Sequence, residues 1–285
     1  KGKVNMGFNT GVLKHKSVLG FETNYSKNTG QGQVYDLDYP TNAAMSVRPR
    51  AYNDIPAMFN QAFFAEDLIT LKTNKHIFDL ALGLRSMSFL GMDQKYTIAN
   101  HFYLDPRANF KWTLPQVAVG DQDLVMSFGA GYGLHTKMPT LDQLYPNKDY
   151  QDIVQLNFYH NNPDYRKANV VTYITDRTNY DLKPTVNKKF ELNADFELNG
   201  NRLTLTYFNE KLSNGFRNTS NHTTFAYKKY INASVDAANL TSAPLITDFD
   251  YTDEKQYYAY STTTNGTTLN KEGIELQFSS RRIPG

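Results

Sequence analysis

The sequence predicts an all-β fold, a partial antiparallel transmembrane barrel of about nine strands with long extracellular loops. Three observations carry that expectation. Runs of alternating apolar and polar residues last roughly ten residues each, close to the ~9–11 that cross a bilayer at a tilt and longer than the ~5–6 of soluble strands. Short turns and long loops alternate between the runs, the asymmetry of barrels with turns toward the periplasm and loops outside. No apolar stretch nears the ~18 residues of a membrane helix, and the mean hydropathy is −0.56.

The clearest pair of strands spans Tyr103 to Pro146. In its first half Pro106, Ala108, Phe110 and Trp112 point one way, and Arg107, Asn109, Lys111 and Thr113 the other. In its second half Leu124, Met126, Phe128, Ala130 and Tyr132 alternate with Val125, Ser127, Gly129, Gly131 and Gly133. Such faces suit a soluble sandwich or a barrel in lipid, and strand length favours lipid.

From the start of the chain, Val4, Met6, Phe8, Thr10 and Val12 form one face, and a basic turn is expected at Lys14 to Lys16 before Leu19, Phe21 and Tyr25. Asn28 to Pro56 lacks periodicity and reads as a long loop. Phe63, Ala65, Ile69 and Leu71 make the next apolar face, but the alternation turns Asp67 toward lipid. A charge at the bilayer centre costs up to ~2–4 kcal/mol, with Asp at the lower end, so a bulge or an interfacial position is expected there. After a turn at Thr73 to Lys75, Phe78, Leu80, Leu82 and Leu84 oppose Asp79, Ala81, Gly83 and Arg85. A loop at Gly91 to His101 leads into the Tyr103 hairpin, whose turn lies at Pro115 to Gln122. A long connection, His135 to Asn187, precedes Phe190, Leu192, Ala194, Phe196 and Leu198, opposed by Glu191, Asn193, Asp195 and Glu197. Asn199 to Asn201 turns the chain into Leu203, Leu205 and Tyr207, and Ser213 to Thr268 reads as a third long loop. Ile274, Leu276 and Phe278 close the series before a turn from Arg281 to Gly285. Since about nine staves is odd and bacterial single-chain barrels close with an even number, residues 1–285 are expected to be a segment incomplete at both ends.

Composition agrees. The 285 residues are 40% hydrophobic and 14% aromatic, with 20 Tyr and 18 Phe, enough for a core or a lipid belt. The net charge of +2 comes from 30 basic and 28 acidic residues without long runs, which argues against a nucleic-acid partner. The absence of cysteine excludes disulfides and thiolate metal sites. Lys1 opens directly in a strand-like run, so the start is expected to be processed or truncated.

Several stretches together resemble the barrel of TonB-dependent outer-membrane receptors. They are AFFAEDLITL and HIFDLALGLRS within Ala62 to Ser86, DPRANFKW at Asp105 to Trp112, SFGAGYGLHTKMPTLDQLYP at Ser127 to Pro146, NYDLKPT at Asn179 to Thr185 and NKEGIELQF at Asn270 to Phe278. In style they are similar to the Bacteroidetes branch and less to its starch-utilisation subgroup. The resemblance implies a plugged barrel of about 22 strands in the bacterial outer membrane. It also implies active import of a scarce large nutrient of siderophore, haem, glycan or peptide class. The energy would come from a TonB complex acting through an N-terminal region and plug that the sequence does not show. Other implied partners are outer-membrane lipid, the unidentified substrate and a surface lipoprotein or other subunit; catalysis and cofactors are not expected.

Candidate ligand-binding residues lie in the long connection: Tyr145, Tyr150, Tyr159, His160, Tyr165, Arg166 and Tyr173, where tyrosines offer rigid amphipathic surface. Haem receptors of the family place a ligating histidine between two boxes, and His160 lies between Met138 to Tyr145 and Asn179 to Pro184. Lys137, Met138 and Tyr180 depart from those boxes, so a solvated loop histidine is preferred, and His135 is expected to order its loop. The residues expected to face the lumen or a plug are Arg85, Arg107, Lys111, Glu191, Asp195, Glu197, Arg202 and Glu275. Carboxylates two apart on a strand are ~7 Å apart, beyond the ~5–5.5 Å of a retaining glycosidase, so ion pairing across the wall is preferred to catalysis. Phe21, Tyr25, Tyr103, Trp112, Tyr132 and Phe278 are expected in interfacial girdles. Two competing readings stand beside the importer: a passive porin or adhesion barrel, and a secreted β-sandwich binding module.

Overall fold

The computed structural model describes residues 1–34, 36 and 48–281. Residues 35 and 37–47 of the expected 28–56 loop, and 282–285 of the expected last turn, lie outside the described residues.

Strands β1 (Gly2–Thr10), β2 (Leu13–Ser26), β3 (Met58–Lys72), β4 (Ile77–Leu90) and β5 (Tyr103–Thr113) pair in sequence, each antiparallel to the last. A short β6 (Val117–Val119) folds back on β7 (Gln122–Lys137), which also pairs with β5. A helical turn, α1 (Leu141–Leu144), and the hairpin β8 (Asp149–Phe158) and β9 (Lys167–Thr175) then leave the sheet before β10 (Thr185–Leu198), β11 (Asn201–Tyr230) and β12 (Tyr251–Ser279) complete it. The ten-stranded sheet runs β1-β2-β3-β4-β5-β7-β10-β11-β12 with β6 off that path, and among the described residues it does not close.

The expected faces hold in the register. Leu80 stands opposite Phe110, Trp112 opposite Phe128, and Phe190 opposite Tyr132, so the apolar residues of adjacent staves align into one belt. That belt is uncovered: Met6, Phe8, Leu82, Phe110, Phe128, Leu192 and Ile274 are all exposed. A large exposed apolar band has no place in water, whereas lipid solvates it. At the short-turn end Phe78 stacks on Trp112 at 6.0 Å, and the Trp112 indole N–H reaches His76 Nδ1 at 3.1 Å. The Asn199-Gly200 turn puts both residues at positive φ, 52° and 75°, the type I′ geometry that matches strand twist.

Four expectations need correction. The first turn is at Gly11 and Val12, and Lys14 to Lys16 are strand. The 213–268 loop is largely hairpin, since β11 and β12 stay paired from Leu212 and Leu269 out to Tyr230 and Tyr251, broken only by a bulge near Gly215. Thr and Asn, mediocre in strands by propensity, are held there by cross-strand contacts such as Thr219 Oγ1 to Thr264 Oγ1 at 2.6 Å. Tyr103 is no girdle residue, because it shares the face of Asp105 and Arg107 and packs on a buried cluster.

The fourth correction concerns Asp67. No bulge relieves it, since β3 pairs with β2 and β4 without a register shift. Instead Ser17 is directly opposite and His15 two residues on, both on its face. Ser17 Oγ donates to Asp67 Oδ1 at 2.8 Å, and His15 Nδ1 lies 2.8 Å from Oδ2, with the imidazole stacked on Phe8 at 4.7 Å. The carboxylate is thus solvated by side chains within the belt. Removing one partner strands it in lipid: H15L is expected to destabilise the refolded protein by about 2–3 kcal/mol, whereas H15L/S17A/D67L is neutral or stabilising. Urea titration followed by the heat-dependent gel shift measures both, and equal loss in the single and triple variants would contradict the account.

Candidate functional site

At the long-loop end a core forms on the polar side of the sheet. Phe89, Met92, Tyr96, Ile98, Ala99, Leu144 and Leu182 are buried together, with Met58, Tyr103, Tyr145 and Tyr180 against them. Met58, Phe89 and Tyr103 come from positions that share the polar face with Asn60, Arg85 and Arg107. The cap therefore leans over that face and away from the belt.

The Met138 to Pro146 stretch builds the cap's anchor. Thr140 caps α1, its Oγ1 accepting from Gln143 N at 3.4 Å while Gln143 Oε1 accepts from Thr140 N at 2.9 Å, a reciprocal capping box. The turn buries Leu144, whose carbonyl accepts from the Tyr96 hydroxyl at 3.0 Å. Tyr96 lies 5.3 Å from Tyr145 and 5.0 Å from Tyr180, and burial above all raises its pKa, as it does that of Tyr145.

Beside this anchor is a cavity of about 250 Å³, lined by Arg48, Pro49, Arg50, Tyr145, Pro146, Asn147, Lys148, Tyr150, Asp176 and Thr178. Three stretches meet there: the chain entering β3, the link from α1 to β8, and the link leaving β9. Gln33 and Arg50 exchange backbone hydrogen bonds at 3.1 and 3.0 Å, which fixes the first stretch. Gly32 makes that possible, since at φ +76° a Cβ would stand 2.0 Å from the Arg50 carbonyl. Arg50 Nη1 donates to Tyr145 O at 3.1 Å and to Asn147 Oδ1 at 2.6 Å. Arg48 lies 5.3 Å over the Tyr150 ring and pairs with Asp152. Burial opposes the Asp152 carboxylate, but hydrogen bonds from Thr172 and Arg48 and the Arg48 charge hold its pKa below the ordinary value. Hydrogen bonds from the Thr178 hydroxyl and backbone, then the Lys148 and Lys95 charges, do the same for Asp176.

Farther out, β8–β9 packs on the tip of the β11–β12 hairpin. Leu156, Phe158 and Phe249 form its small core, with Phe158 and Phe249 edge to face at 5.2 Å. Tyr173 stacks on Phe225 at 4.3 Å and donates to Ala226 O; the Tyr258 hydroxyl donates to Asp149. His160 accepts at Nδ1 from Asn162 N at 3.0 Å and meets Ala237 O with Nε2 at 3.0 Å, so both ring nitrogens are engaged. Tyr165 packs on His160 at 5.1 Å and donates to Thr241 O, while Arg166 lies over Tyr159 at 4.5 Å.

The seven sequence candidates thus divide. Tyr145 and Tyr150 line the cavity; Tyr159, His160, Tyr165, Arg166 and Tyr173 interlock the outer crown. Arg48, Arg50 and Lys148 were missed, being isolated cations in aperiodic stretches. The two arginines on either side of Pro49 and the run Pro146-Asn147-Lys148 are the signals that mark them.

On the polar wall below, Arg85, Arg107, Lys111, Glu191, Asp195, Glu197, Arg202 and Glu275 share one face in the register. Arg202 pairs with Asp195 at 2.9 Å, Glu191 with Lys189 at 2.6 Å, Arg85 with Glu22 at 3.6 Å and Arg107 with Glu66. Asp195 also accepts from Thr204 at 2.6 Å. Arg107 lies across Gly83 and Asn193 across Gly129, where a Cβ would meet them at 2.6 and 2.3 Å. Glycine thereby lets long side chains lie flat on the wall. His135 joins this face, lining a 310 Å³ recess with Arg107, Asn187, Lys189 and Glu191. Among the described residues no group of three or more His, Asp or Glu is placed to hold a metal.

Comparison with known proteins gives two findings. The family profile described as "TonB dependent receptor-like, beta-barrel" matches residues 2–283. The crystal structure of the siderophore receptor PirA from Acinetobacter baumannii aligns with a TM-score of 0.50 and 15% identity, over 97% of this chain and 33% of that one. The chain therefore spans about a third of that receptor's length, and the likeness is one of fold. No curated protein matches.

Two outcomes test the crown. Burial and then the Asp149 hydrogen bond push the Tyr258 pKa from 10.0 up to about 12. A value raised on folding means a contribution complete below pH 10.0 and lost as pH climbs through about 12. The tyrosinate difference titration between wild type and Y258F is expected to show one phenol ionising near the upper value, and a difference centred at pH 10.0 would contradict the contact. F249A, which empties the small core, is expected to cost about 3–5 kcal/mol locally. Limited proteolysis should then cut within 149–175 and 231–250 while the urea midpoint of the sheet stays put.

Proposed function

The chain belongs to the TonB-dependent receptor-like β-barrel family, and from that premise we propose that it forms one arc of an energy-coupled importer in the bacterial outer membrane. Outer-membrane receptor and transporter is the general role of this family, whose members are transport receptors and not enzymes. The finer reading is that further strands continue the sheet beyond β1 and β12, that a plug fills the lumen, and that a TonB complex supplies the energy.

The observation that carries this reading is the cap. Its buried core rises from Met58, Phe89 and Tyr103 on the polar face and carries the cavity with it. A passive pore needs an open mouth, whereas a receptor needs a built surface there. The wall pairs Arg202–Asp195, Lys189–Glu191, Arg85–Glu22 and Arg107–Glu66 add support, because side chains that lie flat leave room for a packed interior domain. PirA is a siderophore receptor; for this chain the ligand class stays with the four named above, and the engaged nitrogens of His160 argue against haem ligation at that residue.

The test is uptake through the full-length receptor in cells with and without a working TonB complex. Uptake is expected to vanish without TonB at unchanged receptor level, and the purified receptor should conduct little in planar bilayers. Uptake that survives loss of TonB, with large steady conductance, would establish a passive pore instead.

A further inference from the structure

In the cavity beside α1 three cations converge. Among the described residues that line it, Arg48, Arg50 and Lys148 stand beside one carboxylate, Asp176, and Arg48 is itself paired with Asp152. Its walls are the rings of Tyr145, Tyr150, Pro49 and Pro146. At about 250 Å³ it is smaller than the ~300 Å³ at which sites begin to enclose drug-sized ligands. It suits one small group of a ligand rather than a whole macrocycle.

We propose that this cavity is an oxyanion subsite, taking a carboxylate or phosphate borne on a unit about the size of one sugar ring. The proposal deepens the receptor reading by assigning chemistry to one recess of its crown. Arginine suits the task because its planar fork meets two oxygens of a carboxylate or phosphate at once. Arg50 is held for it: both side-chain bonds leave from Nη1, to Tyr145 O and Asn147 Oδ1, so the Nε–Nη2 edge is not used by them. The acceptors that hold Arg50 are neutral, so its charge is oriented without being cancelled. Lys148 is exposed and adds a third cation to the lining. Asp176 faces the Lys148 side, and its bonds to Thr178 turn it back on its own loop. The tyrosine and proline rings supply flat apolar walls for the carrier ring of the ligand.

Isothermal titration of the full-length receptor in detergent, with inorganic phosphate, glucuronate and glucose as probes, tests the proposal. At least one oxyanion should bind saturably and glucose should not; tighter phosphate or tighter glucuronate identifies which source the subsite prefers. R50Q and K148Q should each weaken that binding about tenfold, the loss expected when a charge-assisted hydrogen bond is removed, and K14Q, exposed beside the Gly11-Val12 turn at the opposite end of the sheet, should leave it unchanged. Because Lys148 is exposed, K148Q remains informative even if R50Q fails to fold. No saturable oxyanion binding, equal binding of glucose, or wild-type affinity in both R50Q and K148Q would overturn the proposal. The titration needs no TonB, so its failure leaves energy-coupled uptake standing, and failure of uptake leaves the subsite standing.

Discussion

Everything in the sheet depends on pairing the backbone. In lipid no water satisfies an amide or carbonyl, so each polar backbone group of a spanning strand must be bonded by its neighbour. The observed ladders meet that demand through the belt: β2 with β3, β3 with β4, and β7 with β10 run without a register shift. The shifts in the described ladders lie outside it, at Gly215 in the β11–β12 hairpin and at Val154 in β8. An unshifted ladder keeps a strict period of two, and one slipped residue would turn a whole stave inside out. Register, more than any side chain, therefore separates the lipid face from the polar face.

Charge placement follows from register. Arg107 and Glu66, Arg202 and Asp195, and Lys189 with Glu191 and Glu210 all meet on the polar face. The glycines at positions 83 and 129 serve the same order by letting side chains cross the wall instead of projecting from it. Asp67 shows the rule from its other side. Its partners Ser17 and His15 reach it because the β2–β3 register sets them on the same face. A slip of one residue would aim them into the lumen and leave the carboxylate alone.

The staves were legible because a period of two over ten residues is a strong and redundant signal. Phe190, Leu192, Ala194, Phe196 and Leu198 declare their face without help, and so do Pro106, Ala108, Phe110 and Trp112. The outer crown was not legible. Its strands are written in Thr, Asn and Tyr, as in Ser261 to Thr268, with no apolar alternation to read, and their pairing rests on contacts between segments far apart in sequence. The first turn was misplaced for a related reason: Lys14 to Lys16 look like a polar turn, yet Lys14 and Lys16 simply take the polar face of β2 while His15 takes the other. Candidate site residues fared by type. Tyrosines are easy to count in a loop, but which of them are needed to hold the loop together is decided by packing that no local pattern encodes.

That division has a physical consequence for recognition. Tyr159, His160, Tyr165, Arg166 and Tyr173 engage one another or the β11–β12 hairpin, so these side chains are held by contacts within the chain itself. A surface ordered in advance loses little conformational entropy on binding, and selectivity then rests on the few groups that face the recess. In the proposed subsite those groups are Arg48, Arg50 and Lys148, with Asp176 beside them. Arg50 is fixed by uncharged oxygens and Arg48 by a carboxylate at the rim, which gives the two guanidiniums unequal residual fields although they sit on the same short stretch of chain. The anionic end of a ligand would therefore settle toward Arg50 and Lys148, leaving Arg48 to hold Tyr150 and β8 in place.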